Sequence, residues 1–316
     1  MNEFFLVTRE EIWTGGPKKT LLEERLSHGA AREEAGIVAA SDERDDELLA
    51  LCNERIVSAR ELLPFLAGAR VRIVVAARRA GAFTRTGVTM VLGIGQQAVV
   101  STPLTAPADY ERASRAASSK PKGEIDYRGI PIVWRGGSAS VLLHEAAGHP
   151  AECGGAKAAK WPTWLSVHDE PEIEIDDSGN RCGIANLLAG EQPRAWRRAS
   201  FSDLPLKRMS NVVVRQSNAP FELSPKRIEI DLVSAGHYDV LNDVVTIAVS
   251  AAELVDGRSR RTLAPFRIIE TRACVAAALS GSEGEAIRYP GVVCSSEGQE
   301  LVAGSHAPVV TTVFHD

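Results

Sequence analysis

From residue 42 to residue 67, apolar side chains return every three or four positions, at Leu48, Leu49, Cys52, Ile56, Ala59, Leu62, Leu63 and Leu66. That spacing predicts an amphipathic helix whose stripe packs into a core. Two short β-prone runs follow, Val71–Ala76 and Val88–Leu92. Between residues 102 and 123 the periodicity disappears and Pro, Ala, Ser, Lys and Arg dominate, as in a linker or exposed loop. The texture then changes. Asp126–Trp134 reads as a strand leading through Gly136-Gly137 into a helix. Beyond it, polar and apolar residues alternate in Glu172–Asp176, Val212–Gln216, Ile228–Val233 and Val244–Val249, with turn signals at Asp177-Ser178-Gly179-Asn180 and Asp256-Gly257. The pattern predicts an α+β chain: an N-terminal mixed α/β domain over 1–124, then an antiparallel β-rich domain over 125–316 with the helix after Gly137 at its start.

Composition narrows the function more than the fold. A net charge of −5 and the lack of a dense Lys/Arg stripe argue against a nucleic-acid partner. The N-terminus reaches Arg9, Glu10 and Glu11 before an apolar core of signal-peptide length forms. Nothing approaches the roughly 20 apolar residues of a membrane span. The expectation is a cytoplasmic protein that does not engage a membrane. Cys52, Cys153, Cys182, Cys274 and Cys294 are odd in number, scattered and without a C-x-x-C pair, which suits a reducing compartment. Neither a dinucleotide-binding glycine fingerprint nor a phosphate-binding loop is present.

The helix after Gly137 carries the chemistry. Val141-Leu142-Leu143 runs into His144-Glu145-Ala146-Ala147-Gly148-His149, two imidazoles and a carboxylate within six residues. A single histidine on an apolar face is usually a hydrogen-bonded structural residue; this combination instead matches a metal site that activates water. The spacing is one residue longer than H-E-x-x-H. At about 100° per residue, histidines five apart point roughly 140° apart on an α-helix and cannot share an ion. Shared ligation therefore predicts an i→i+5 turn or a helix end between them, with Gly148 and Pro150 as the residues that interrupt regular helix. Catalytic zinc takes three protein ligands plus water. Spacing leaves the third open among Glu152, Cys153, His168, His237, Cys294 and His306.

The segment VLLHEAAGH resembles the H-E-x-x-x-H signature of the TldD/PmbA metallopeptidases, also called modulators of DNA gyrase. Arg197-Arg198-Ala199-Ser200-Phe201, Leu204-Pro205 and Arg208-Met209-Ser210-Asn211 are similar to a second block of that family, and Val293-Cys294-Ser295-Ser296-Glu297-Gly298-Gln299 to a third. The likeness spans roughly residues 136–310. It implies one divalent metal ion held by His144, His149 and Cys294, with Glu145 as general base. Imidazole suits several metals, iron among them, and the thiolate favours zinc. The implied activity is zinc-dependent hydrolysis of peptide bonds in unfolded or short peptides. The substrate would lie extended along a strand edge, for which residues 210–250 are the natural source. The active site would sit in an internal channel of a homodimer or of a heterodimer with a related subunit. Arg197, Arg198, Arg208 and Asn211 are candidates for substrate binding, a structural role being equally in keeping with their block. Under the same likeness His168, His237, His306 and His315 revert to structural or surface roles.

Two features depart from the family pattern. The part before the motif is short, and Pro150-Ala151-Glu152-Cys153-Gly154 replaces the usual Gly-rich acidic continuation. Both leave the ligands intact and bear on the substrate channel and the partner. Alternative readings are a protease dedicated to one precursor peptide, a non-catalytic partner subunit and a purely structural metal site. The last would need a fourth protein ligand and no Glu145.

Overall fold

The computed structural model describes residues 2–14, 18–34, 37–40, 45–61, 69–80, 83–94, 98–103, 125–154, 159–171, 181–199, 202–296 and 299–315. The expected linker after residue 103, the boundary near 124, the Glu172–Asp176 run and the Asp177–Asn180 turn lie outside them. Two large sheets and a few short helices make up the α+β architecture.

The N-terminal sheet is built from β1 (Asn2–Thr14), β2 (Thr20–Glu34), β3 (Ile37–Ala40), β4 (Ala69–Ala80), β5 (Phe83–Ile94) and β6 (Ala98–Pro103). Its order is β3-β2-β1-β4-β5-β6, antiparallel throughout. Helix α1 (Asp46–Arg60) lies within the predicted helical stretch. The Asp45 carboxylate caps it, accepting from the Leu48 N–H at 2.9 Å, and Asp46 and Glu47 favour the positive end of its dipole. Leu48, Cys52, Ile56 and Ala59 bury the stripe against Val71, Ile73, Val75 and Ala77, alternate residues of β4. Helical and strand periods thus meet in one core. Leu232, from the other sheet, is buried in the same cluster.

The second sheet has ten strands. They are β7 (Ile132–Trp134), β8 (Leu165–Asp169), β9 (Ala185–Asn186), β12 (Asn211–Gln216), β13 (Lys226–Asp239), β14 (Val244–Asp256), β15 (Ser259–Thr262), β16 (Phe266–Thr271), β17 (Leu279–Ser296) and β18 (Gln299–Thr312). The order is β15-β14-β13-β7-β18-β12-β8-β9, with β16 also paired to β14 and β17 to β18. A separate two-stranded ribbon joins β10 (Trp196–Ala199) to β11 (Ser202–Lys207).

The sheet is antiparallel-rich, as expected, with two parallel pairings, β13 with β7 and β12 with β18. One expectation needs adjusting. The Asp126–Trp134 strand shrinks to Ile132–Trp134. Gly129 turns the chain at φ 71°, and the Ile130 N–H closes back on the Tyr127 carbonyl at 3.2 Å. No helix of the described residues is long and apolar enough to cross a membrane.

Candidate metal centre

β7 delivers the chain to the site. Trp134 is fully buried and its indole N–H donates to Thr312 Oγ1 at 2.9 Å, fixing the strand end. Gly136 and Gly137 follow at φ 58° and 82°. At Gly137 a side chain is doubly disfavoured, since a Cβ would also lie 2.7 Å from the Ile287 carbonyl oxygen. The chain then enters a helix over Ala139–Leu143, all buried.

From His144 to Gly148 the helix is π. The His149 N–H reaches the His144 carbonyl, an i→i+5 bond and the first of the two arrangements that the histidine spacing allows. One extra residue in the turn brings position i+5 over position i, and the two imidazoles stand edge to face with centroids 4.8 Å apart. Gly148 keeps an ordinary right-handed backbone, φ −71° and ψ −60°, so it does not act by ending the helix. It leaves room for the Met209 thioether, which a Cβ here would displace. Nor does Pro150 stop the helix. It opens a last α-turn, His149–Glu152, where its missing N–H costs nothing.

Cys294, on β17, completes the cluster. Its Sγ lies 3.2 Å from His144 Nε2 and 3.4 Å from His149 Nε2. Zn–N bonds of about 2.0–2.1 Å and a Zn–S bond of about 2.3 Å at tetrahedral angles put N and S about 3.5 Å apart, so the donor set suits such an ion. Among the described residues this is the only group of three or more metal-binding side chains, and its ligand atoms lie within 4.8 Å of one another. The other sequence candidates are not part of this group. Cys153 and His237 are exposed, His168 and His306 flank Val213 across β8 and β18, and His315 is exposed near the C-terminus.

Glu152, weighed as a ligand, turns out to hold one. His149 Nδ1 donates to Glu152 Oε2 at 2.6 Å, which leaves Nε2 facing the thiol. Glu152 Oε1 accepts from the Met209 N–H at 2.7 Å and from Arg208 Nε at 3.1 Å, while Arg208 Nη2 donates to Cys294 Sγ at 3.1 Å. Neither role was read from the sequence, although the i,i+3 spacing of His149 and Glu152 on a helix was a usable signal. Arg208 and Asn211, expected as substrate contacts, are buried, and Asn211 Nδ2 donates to the Glu170 carbonyl at 3.0 Å. Arg197 is in the β10 ladder opposite Leu206 and Arg198 follows it; their side chains are outside the described residues.

Burial pushes the Cys294 thiol up, but the adjacent His144 and His149 more than offset this and bring it down to about 5. Burial likewise lowers His149, and the Cys294 thiolate overrides it, lifting His149 to about 11. Glu145 is raised by burial against the opposing pull of both histidines. A cation beside it would favour the carboxylate. Its Oε2 is 3.6 Å from His149 Nε2, and its side chain packs directly on Gly236 of β13, where any Cβ would overlap it.

The loop carrying Arg208 is anchored by Asp169, a fully buried carboxylate. Its Oδ1 accepts from the N–H groups of Ser210 and Asn211 at 2.8 and 2.9 Å, while Oδ2 has no hydrogen-bond partner among the described residues. Burial outweighs those bonds and raises its pKa from 3.8 to about 6. A raised carboxylate stabilises the fold most below its unfolded pKa near 4, and that contribution is lost as pH rises through 6. Asp169→Asn removes the titration. The stability of the metal-free variant relative to wild type should therefore rise between pH 4.5 and 7, by about 2 kcal/mol, since part of the two-unit shift is already spent at pH 4.5. Denaturant unfolding at both pH values checks this; a constant difference would contradict it.

No family model and no curated protein matches the sequence. Solved structures do match its fold. TldE from Thermococcus kodakarensis aligns with a TM-score of 0.52 at 12% identity, covering 99% of this chain and 96% of that one. A protein provisionally named a modulator of DNA gyrase, from Bacteroides thetaiotaomicron, aligns with a TM-score of 0.53 at 8% identity, covering 99% and 93%.

Proposed function

We propose that this chain is a metallopeptidase of the TldD/PmbA type, hydrolysing peptide bonds in unfolded or short peptides. The observation that carries the reading is the convergence of His144, His149 and Cys294 with Glu145 beside them. The shared fold and the three sequence blocks support it. A non-catalytic subunit would have no use for the complete set.

Zinc at His144, His149 and Cys294 would supply Lewis acidity and a water acidic enough to react near neutral pH. The chain's own residues do the rest. Glu145 takes the proton of the attacking water and passes it to the leaving amine. Glu152 holds the His149 ring in the tautomer that turns Nε2 inward. Gly236 leaves room for Glu145 to stand next to His149. The low exposure of all four residues keeps bulk water from competing.

An extended substrate needs a free strand edge. β12 and β14 are paired on both sides. β13 pairs with β7 only over Ile228–Ile230, and the Tyr289 hydroxyl contacts the Val233 N–H and C=O. Among the described residues no strand pairs with the β7 side of Ser234–Asp239, the stretch containing Gly236. We assign the peptide to that edge, held by main-chain hydrogen bonds. The partner subunit, of the same or a related chain, would close the channel around it.

Zinc-loaded protein should cleave unstructured peptides and leave folded proteins intact. Chelation should abolish cleavage and added zinc restore it. Equal rates on folded and unstructured substrates, or chelator-resistant cleavage, would defeat the reading.

A further inference from the structure

The buried Arg208 stands between two side chains that come from distant parts of the chain. Nη2 meets the Cys294 sulfur on β17, and Nε meets the Glu152 carboxylate at the end of the metal-motif helix. The fork of the guanidinium makes both contacts at once, at 3.1 Å each. The same Glu152 carboxylate holds His149 through its other oxygen. A closed circuit results: Cys294, Arg208, Glu152, His149 and back to Cys294. Burial of a guanidinium is costly unless its charge is answered. Here the thiolate and the carboxylate answer it.

We propose that Arg208 is a positioning residue of the metal centre, joining the thiolate ligand to the carboxylate that orients His149 and drawing charge from the sulfur. The inference rests on the metal-site reading above. It does not depend on which peptide is cleaved. Two consequences follow from the geometry. Without Arg208, β17 and the motif helix lose the tie that runs through Glu152 and keep only the direct contacts of Cys294 with the two histidines, so the ligands are less pre-organised. Without its N–H, the sulfur donates more charge, which raises the energy of its lone pairs.

Cobalt(II) titration of Arg208→Gln and Arg208→Lys tests both. Wild type should bind cobalt with a thiolate-to-cobalt charge-transfer band. In Arg208→Gln the band should move to longer wavelength and affinity should fall roughly 10- to 100-fold, the range for groups that orient ligands. Arg208→Lys keeps the charge without the fork and should fall between the two. Circular dichroism establishes that each variant folds. If Arg208→Gln does not fold, Arg208→Lys carries the same comparison. An unchanged band and affinity in a folded variant would overturn the role given to Arg208. Absence of a thiolate band in wild type would instead overturn the metal centre itself.

Discussion

Glu145→Gln is expected to bind metal like wild type and to hydrolyse peptides roughly 10²- to 10⁴-fold more slowly, the usual worth of a positioned general base. Metal retention follows from the donor set. The ligand atoms are two imidazole nitrogens and one sulfur, and Glu145 is not among them. Fold retention follows from shape. The side chain is buried and pressed against Gly236, so an isosteric amide keeps the packing where alanine would open a cavity. Burial already favours the neutral form of Glu145 in the metal-free protein, so an uncharged amide suits that state. Only the capacity to accept a proton is removed. Metal analysis and peptide turnover on the same preparation separate these effects; turnover at the wild-type rate would mean that another group is the base.

Cys294→Ala should produce the opposite signature, losing both metal and activity. The variant keeps two imidazole ligands but loses the only anionic one. Removing groups that merely orient ligands costs roughly 10- to 100-fold in affinity, so losing a ligand should cost at least 100-fold. The damage spreads further. Arg208 loses its sulfur partner in a buried position, and His149 loses the largest of the charges that raise its pKa. Metal content after dialysis against a weak chelator is the measurement. Full zinc retention by Cys294→Ala would remove Cys294 from the ligand set.

How much of this was legible beforehand differs from residue to residue. The break from regular helix was legible by arithmetic: two histidines five apart can meet only through an i→i+5 turn or a helix end, and the structure takes the first. The helix over residues 46–60 and β14 announced themselves by period, because each buries chiefly one face, whereas β13 buries Leu232 and Val233 in two different cores. β1 and β2 did not. Their sequences mix Glu, Arg and Leu without clean alternation, and their extended form comes from cross-strand context, including the Arg9–Glu24 and Glu10–Arg72 pairs. Cys294 could not be chosen by spacing, since it arrives through the pairing of β17 with β18, which leaves no local mark; family likeness supplied it. Arg208 was harder still. A basic residue in a polar block looks like a substrate contact until Cys294 and Glu152 are both in place to bury it.

β13 has an unusual division of labour. Leu232 belongs to the hydrophobic core of the N-terminal sheet, and four residues on, Gly236 backs the carboxylate proposed as the base. β13 is irregular between Ile230 and Ala235, the stretch that carries Leu232 into one core and leads on to Gly236. The core that seats α1 on β4 and the backing of Glu145 therefore share one strand.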